Sequence, residues 1–495
     1  RQIVYREDKA MTLADKPKNT KYYINSAIGV SIMLFFGYLP TFSTVTPIGM
    51  KILGIYLGLL YLWSTVDLIW PSLLGIIITG FSGYDSVSGI LASGFGDGTN
   101  VYIWLICLFA YFITKSGVSD NIVRAIMGLK FAKGRPWVVS FLFFTAAYAV
   151  GALVSMTPAC LIVWAFFEKF AQEMNYKKGD KYVSFMIVGI ALSGLMGFSL
   201  FNFRVPGSIL IGYIEAAGGT VSFIGYSLTA FVVGFGAVIV YTIFGKLVVR
   251  PDVERIKGGY EFAAGKNMTR YQKQLLALTF ALILTFMVQS LLTKTVVGQF
   301  LTKLGTSGIV LVFLIIIGFI RRKDGSFFAD LLDGTKNGVP WPVFYLLTIG
   351  MPLSFALSDE ALGIQPMLSG VFSSILGSSS SGFLIFVLLI TFLAAFSTQF
   401  LLNQIPCMVL FPIASAYCAS MNINPGVLAC MITLCANASI IFPSANPIAG
   451  VMHGKTNWIS SKDIYKFAIP LTVSVWLLAV IVWLVLGNTF FNIGV

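Results

Sequence analysis

Polar side chains able to do chemistry occur in this chain at four short breaks within apolar stretches. The breaks are Ser155-Met156-Thr157-Pro158, Phe203-Arg204-Val205-Pro206-Gly207-Ser208, Leu402-Asn403-Gln404-Ile405-Pro406 and Pro443-Ser444-Ala445-Asn446-Pro447. Hydroxyl and amide groups of this kind donate to carboxylate oxygens. A helix that restarts after a break also points free N–H groups and its positive dipole end at whatever sits there. Such an arrangement suits a small, dehydrated anion. Taken singly, Ser155, Thr157, Ser208, Asn403, Gln404, Ser444 and Asn446 could each be a helix cap with no ligand. Their recurrence at four breaks, in matching order in the two halves of the chain, is what favours a site.

Arg204 adds a full charge. An arginine in the middle of an apolar membrane segment is expensive and points to function, and no Asp or Glu lies near it in sequence. A guanidinium there could offset the charge of a bound anion. The competing readings are a pairing with a carboxylate from elsewhere or snorkelling to the interface. His453 and Lys455, after the last break, are weaker members of the same charge-compensating set, and Lys455 could equally be an anchor at the cytoplasmic end of its helix. Enzyme chemistry is poorly served. The chain has one histidine, and no HExxH motif, P-loop or nucleophile elbow is present. The six cysteines (Cys107, Cys160, Cys407, Cys418, Cys430 and Cys435) lie in apolar segments without CxxC spacing, which reads as buried hydrophobes rather than disulfides or metal ligands. No enzyme activity, metal or cofactor is expected.

The elements that must position these groups are membrane helices. The chain is 57% hydrophobic and 11% charged, with a mean hydropathy of +0.86, whereas a soluble domain carries about a quarter charged residues. Its uncharged runs are too long and too uniform for the alternating strands of a barrel. The expected fold is an all-α polytopic membrane protein of about 11 transmembrane helices in two inverted repeats, each with a re-entrant hairpin and a broken helix. The expected divisions are a cytoplasmic tail (1–23), a first half (24–249), a cytoplasmic linker (250–273) and a second half (274–495). The hairpins fall at about 137–170 and 382–419, and the broken helices at about 182–214 and 426–454. The tail lacks the apolar core of a signal peptide.

Loop charge sets the orientation. The net charge of +13 comes from basic residues clustered in certain loops, not from a stripe suited to nucleic acid. Lys130, Lys133 and Arg135 precede the first hairpin, and Lys177, Lys178 and Lys181 follow it. Arg250, Arg255, Lys257, Lys266, Arg270 and Lys273 occupy the linker, and Arg321 to Lys323 a later loop. All are expected to be cytoplasmic. Loops 83–100, 215–222, 358–382 and 419–425 lack Lys and Arg altogether, so the second hairpin is expected to enter from the other side.

These motifs bear a family resemblance. Ser155-Met156-Thr157, with Pro158-Ala159 behind it, resembles the Ser-Asn-Thr hairpin signature of the divalent anion/sodium symporter family, and Leu402-Asn403-Gln404 occupies the place of the second such signature. Asn446-Pro447 is similar to the family's Thr-Pro-Pro-Asn turn, and Arg204-Val205-Pro206-Gly207-Ser208 takes the place of its first-half counterpart. The resemblance in helix order covers nearly the whole chain, and the motif matches are partial. It implies a homodimeric carrier of the elevator type, with a scaffold and a mobile domain, in the plasma membrane (bacterial cytoplasmic membrane). It also implies substrate contacts at Ser155, Met156, Thr157, Asn403, Gln404, Asn446 and Pro447, with Pro206, Gly207 and Ser208 at the matching break. The implied partners are membrane lipid and C4–C5 dicarboxylates such as succinate, malate, fumarate and 2-oxoglutarate. Met156, Leu402 and Gln404 depart from the signatures and remove candidate oxygen ligands for sodium. Exchange without sodium is therefore expected. The alternatives are a sodium-coupled dicarboxylate or citrate symporter, and more remotely an anion channel or membrane sensor.

Overall fold

Long uncharged runs in an apolar medium must satisfy their backbone internally, and this chain does so as α-helices. The computed structural model describes residues 20–216, 222–258, 267–322, 325–376, 380–421, 423 and 425–486. Residues 1–19 of the expected tail lie outside that set, as do 259–266 of the expected linker.

The first half contains α1 (Thr20–Phe35), α2 (Pro47–Thr65), α3 (Ile69–Gly80), α4 (Val87–Phe95), α5 (Gly98–Lys115) and α6 (Val118–Met127). The hairpin α7 (Pro136–Leu153) and α8 (Met156–Glu173) follows, then α9 (Lys181–Phe198), α10 (Val205–Ala216), α11 (Phe223–Phe244) and a single turn, α12 (Glu254–Lys257). The second half runs α13 (Arg270–Leu291), α14 (Val296–Phe319), α15 (Leu331–Gly338), α16 (Trp341–Ser358) and α17 (Ile364–Leu376). It ends with the hairpin α18 (Ser380–Ser397) and α19 (Gln404–Ser420), then α20 (Gly426–Ala436), α21 (Pro447–Gly454) and α22 (Ser461–Leu486). Among the described residues the only bridge outside helices joins Arg321 to Phe327. Nine helices among them, α7 included, are long and apolar enough to cross a membrane, and shorter apolar helices accompany them. This is the fold of a polytopic membrane protein.

Short polar caps start many of these helices. Thr46, Ser86, Asp97, Ser222 and Thr295 each accept a hydrogen bond from the first turn of the helix that follows, and Thr269 with Gln272 forms a capping box. Three short helices were not expected from the sequence: α4 lies within the Gly-rich stretch 83–100, α12 is a single turn in the linker, and α15 is capped by Asp330. Break lengths also differ from expectation. The last break opens at Asn437, well before Pro443, and the chain does not regain helix until Pro447.

The two halves pack reciprocally. α4 and α3 lie on α16, just as α15 and α14 lie on α5. α10 crosses to α19 and α20, while α21 crosses to α8 and α9. α9 is buried almost throughout, whereas α13 and α14 leave most of their side chains outward. The most extensive packing in the first half is α7 on α9, where small residues let backbones touch. A Cβ on Gly151 would stand 2.3 Å from the Gly194 carbonyl oxygen, and one on Gly197 2.0 Å from that of Tyr148. Gly236 on α11 meets nothing nearer than a Leu478 methyl at 3.9 Å. Gly197→Ala should therefore lower stability by about 1–3 kcal/mol through forced separation of α7 and α9. Gly236→Ala should be neutral or slightly stabilising. Thermal unfolding of the two variants in detergent checks the contrast; equal midpoints would remove the close approach of α7 and α9.

Candidate functional site

The first hairpin tip turns over in two residues. Val154 and Ser155 both donate backbone N–H groups to the Val150 carbonyl, at 2.8 and 3.2 Å, and α8 begins at once with Met156. Ser155 is extended (φ −170°, ψ 160°) and its side chain does not cap α8. Pro158 falls in the first turn, where its missing N–H has no helical partner to lose. Ser155 and Met156 are half-buried and Thr157 is exposed. The Ser155 and Thr157 hydroxyls make no hydrogen bond within the described residues, so the tip presents two unengaged donors.

The first break, residues 199–204, is short and closes on itself. Ser199, Leu200 and Arg204 donate backbone N–H groups to Leu195, Gly197 and Phe201. Gly207 is required here because a Cβ would meet Asn202 backbone atoms at 2.7 Å. Pro206 sits in the first turn of α10, and the Ser208 hydroxyl turns back onto the Val205 carbonyl at 2.9 Å. That bond engages Ser208 inside its own helix.

Arg204 is only 6% exposed. Its Nη2 donates to the Ala152 carbonyl at 2.9 Å, in the last turn of α7, where the helix dipole is negative. The guanidinium carbon lies 5.1 Å from the Phe203 ring centre and 5.3 Å from that of Phe198. A desolvated contact of this kind is worth about 2 kcal/mol. Phe203 stacks in turn with Phe201, Phe223 and Phe286. No carboxylate among the described residues pairs with Arg204, and its Nε is buried without a partner.

The second hairpin tip and second break are joined by side chains. Asn446 Nδ2 donates to Ser439 Oγ at 2.7 Å, and Ser439 Oγ donates to Asn403 Oδ1 at 2.8 Å. Asn403 Nδ2 then donates to Asn437 Oδ1 at 2.9 Å. Thr398 Oγ1 reaches the Ala436 carbonyl at 2.6 Å, and Gln399 Nε2 the Ala438 carbonyl at 3.0 Å, while Gln399 Oε1 accepts from Ile441 N at 3.0 Å. Asn446 also caps α21 through Ala449 N, with Pro447 at the first helical position. Asn437 Nδ2 is left buried and unpartnered. Gln404 is half-buried and its side chain makes no hydrogen bond within the described residues.

Among the residues singled out in the sequence, Asn403 and Asn446 thus meet through Ser439, and Arg204 meets the first hairpin through Ala152. His453 donates Nε2 to the Ile441 carbonyl at 2.9 Å. Lys455 pairs with Glu168 of α8 at 2.5 Å and lies over the Trp164 ring, so its charge is already balanced. Thr398, Gln399, Asn437 and Ser439 were missed. Their signal was present as polar residues inside apolar runs, a pattern that deserves weight at membrane depth.

Two hairpins and two broken helices are thus packed reciprocally within a polytopic helical bundle. No protein-family model and no curated protein matches the chain. Among solved structures it is similar to the YdaH transporter of Alcanivorax borkumensis, whose crystal structure is described as revealing an unusual topology. The two share 12% sequence identity with a TM-score of 0.56, over 95% of this chain and 98% of that one. The likeness is one of fold.

The bonding separates two of these polar residues by role. Asn403→Ala should lower stability by about 1–3 kcal/mol, because it strands the buried Asn437 and Ser439 side chains. Thr157→Ala should leave stability unchanged. Thermal midpoints in detergent without substrate test this, and an unshifted Asn403→Ala protein would dissolve the network as a structural element.

Proposed function

We propose that this protein is a secondary transporter exchanging C4–C5 dicarboxylates across the plasma membrane without sodium, a dicarboxylate-exchanger relative of the divalent anion/sodium symporters. The observation that carries the reading is Arg204. A cation buried at a helix break, with no carboxylate beside it among the described residues and a donor still free, lacks the counter-charge that buried charges need. An anionic substrate supplies it. Asn437 Nδ2 gives the second break a free buried donor as well, and a dicarboxylate has two ends to satisfy. Ser155 and Thr157 at the first tip, and Gln404 at the second, are unengaged groups that can complete the shell.

The occupied oxygens of the second break support sodium independence. The carbonyls of Ala436, Ala438, Ser439 and Ile441 accept from Thr398, Gln399, Asn446 and His453, whereas a hard cation needs a set of oxygens turned toward it. Packing supports an elevator motion. α11 lies on α22 and α9 on α22, joining the two hairpin units into one body. α2 to α5 and α13 to α16 pack among themselves as another. In this reading the first body carries substrate past the second, and two copies of the chain form a dimer through their second bodies.

Reconstituted protein should exchange external for internal dicarboxylate at the same rate with and without sodium. Arg204→Ala should reduce exchange by roughly 100-fold, the loss of a charge-assisted pair, and Arg204→Lys should retain part of it because the charge survives without the planar fork. Thr157→Ala should weaken substrate binding by about 1–3 kcal/mol. Uptake of labelled succinate, normalised to folded protein, reads all four. A strict sodium requirement in the wild type, or full exchange in Arg204→Ala, would sink the proposal.

A further inference from the structure

α5 belongs to the second body, and it packs directly against α10. The contact is tight: a Cβ on Gly212 of α10 would stand 1.9 Å from Thr99 Oγ1 of α5. From Gly212 back to Arg204, and from Thr99 on to Cys107, is about two helical turns each. At the other end of this contact Arg204, which immediately precedes α10, acts electrostatically on Tyr102 and Cys107 of α5. Tyr102 is buried, and its hydroxyl has no hydrogen-bond partner. A tyrosine hydroxyl usually finds a partner when buried. Here two buried donors are unpartnered, the Arg204 Nε at the start of α10 and the Tyr102 hydroxyl on α5, the helix packed against it.

We infer that Tyr102 is a second donor to the anion that Arg204 neutralises, supplied to the substrate by a helix outside the hairpin units. The inference rests on the carrier reading above and adds a residue that none of the four breaks contains. Arg204 provides charge and Tyr102 a single directed O–H, so one carboxylate can accept from both, one bond on each oxygen.

Tyr102→Phe tests this, since it removes only the hydroxyl and keeps the ring in place. In proteoliposomes the variant should raise the KM for succinate by about tenfold, as expected for one hydrogen bond to a charged group, with the maximal rate little changed. A second measurement is independent of transport. Wild-type protein in detergent is heated with succinate, citrate, sulfate or glutamate, and the variant should lose most of the stabilisation that the best of these gives. A wild-type KM and an undiminished thermal shift in Tyr102→Phe overturn the assignment. Wild-type protein that is stabilised by an anion yet exchanges no dicarboxylate removes the carrier reading; Tyr102 is then judged on the thermal shift alone. Wild-type protein stabilised by none of the four anions overturns both.

Discussion

Backbone that leaves a helix inside an apolar interior must find its hydrogen bonds elsewhere, and the rest of this structure depends on how that demand is met. The two breaks meet it differently. The first is short and closes its own turns, leaving a cation on a wall of phenylalanine rings. The second stays open from Asn437 to Asn446 and borrows its donors from Thr398, Gln399, Asn446 and His453. Those donors come from the second hairpin tip and from α21 with its cap, so the open segment holds its shape only while both are in place.

Much of this was legible in the sequence. Uncharged runs marked the helices, and Pro, Gly and polar residues marked where helices fail. The small helices α4 and α15 escaped because Gly-rich, short segments carry little periodicity. The second break was placed too late because Ile440, Ile441 and Phe442 continue the apolar run through unwound backbone. Roles were harder to read than positions. An asparagine such as Asn403 can be a cap, a ligand or a cross-link, and only tertiary neighbours decide which. Lys455 looked like a free charge because its carboxylate, Glu168, is 287 residues away in sequence. Arg204 read correctly as lacking a local acid, and no distant acid supplies one among the described residues.

The reciprocal packing has a consequence for how the chain folds. α10, from the first half, is completed by α19 and α20 of the second, and α21 by α8 and α9 of the first. Neither broken helix can bury its apolar surface within its own half. The Lys455–Glu168 pair adds a directional tie across the same divide. The halves therefore specify one another, and contacts between residues hundreds of positions apart must form before the broken helices are fully packed.

The two hairpins are also tied to their breaks unequally. The second tip is held by several amide and hydroxyl bonds that reinforce one another through Asn403. Among the described residues the first is hydrogen-bonded to its break by one side-chain bond, from Arg204 to the end of α7. In the proposed carrier, a guanidinium that turns toward an anion gives up that bond, so arrival of negative charge and release of the first tip become one event. The two jaws are tied by different means, one by a polar network and one by close backbone packing and a single guanidinium, and only the latter is wired to charge.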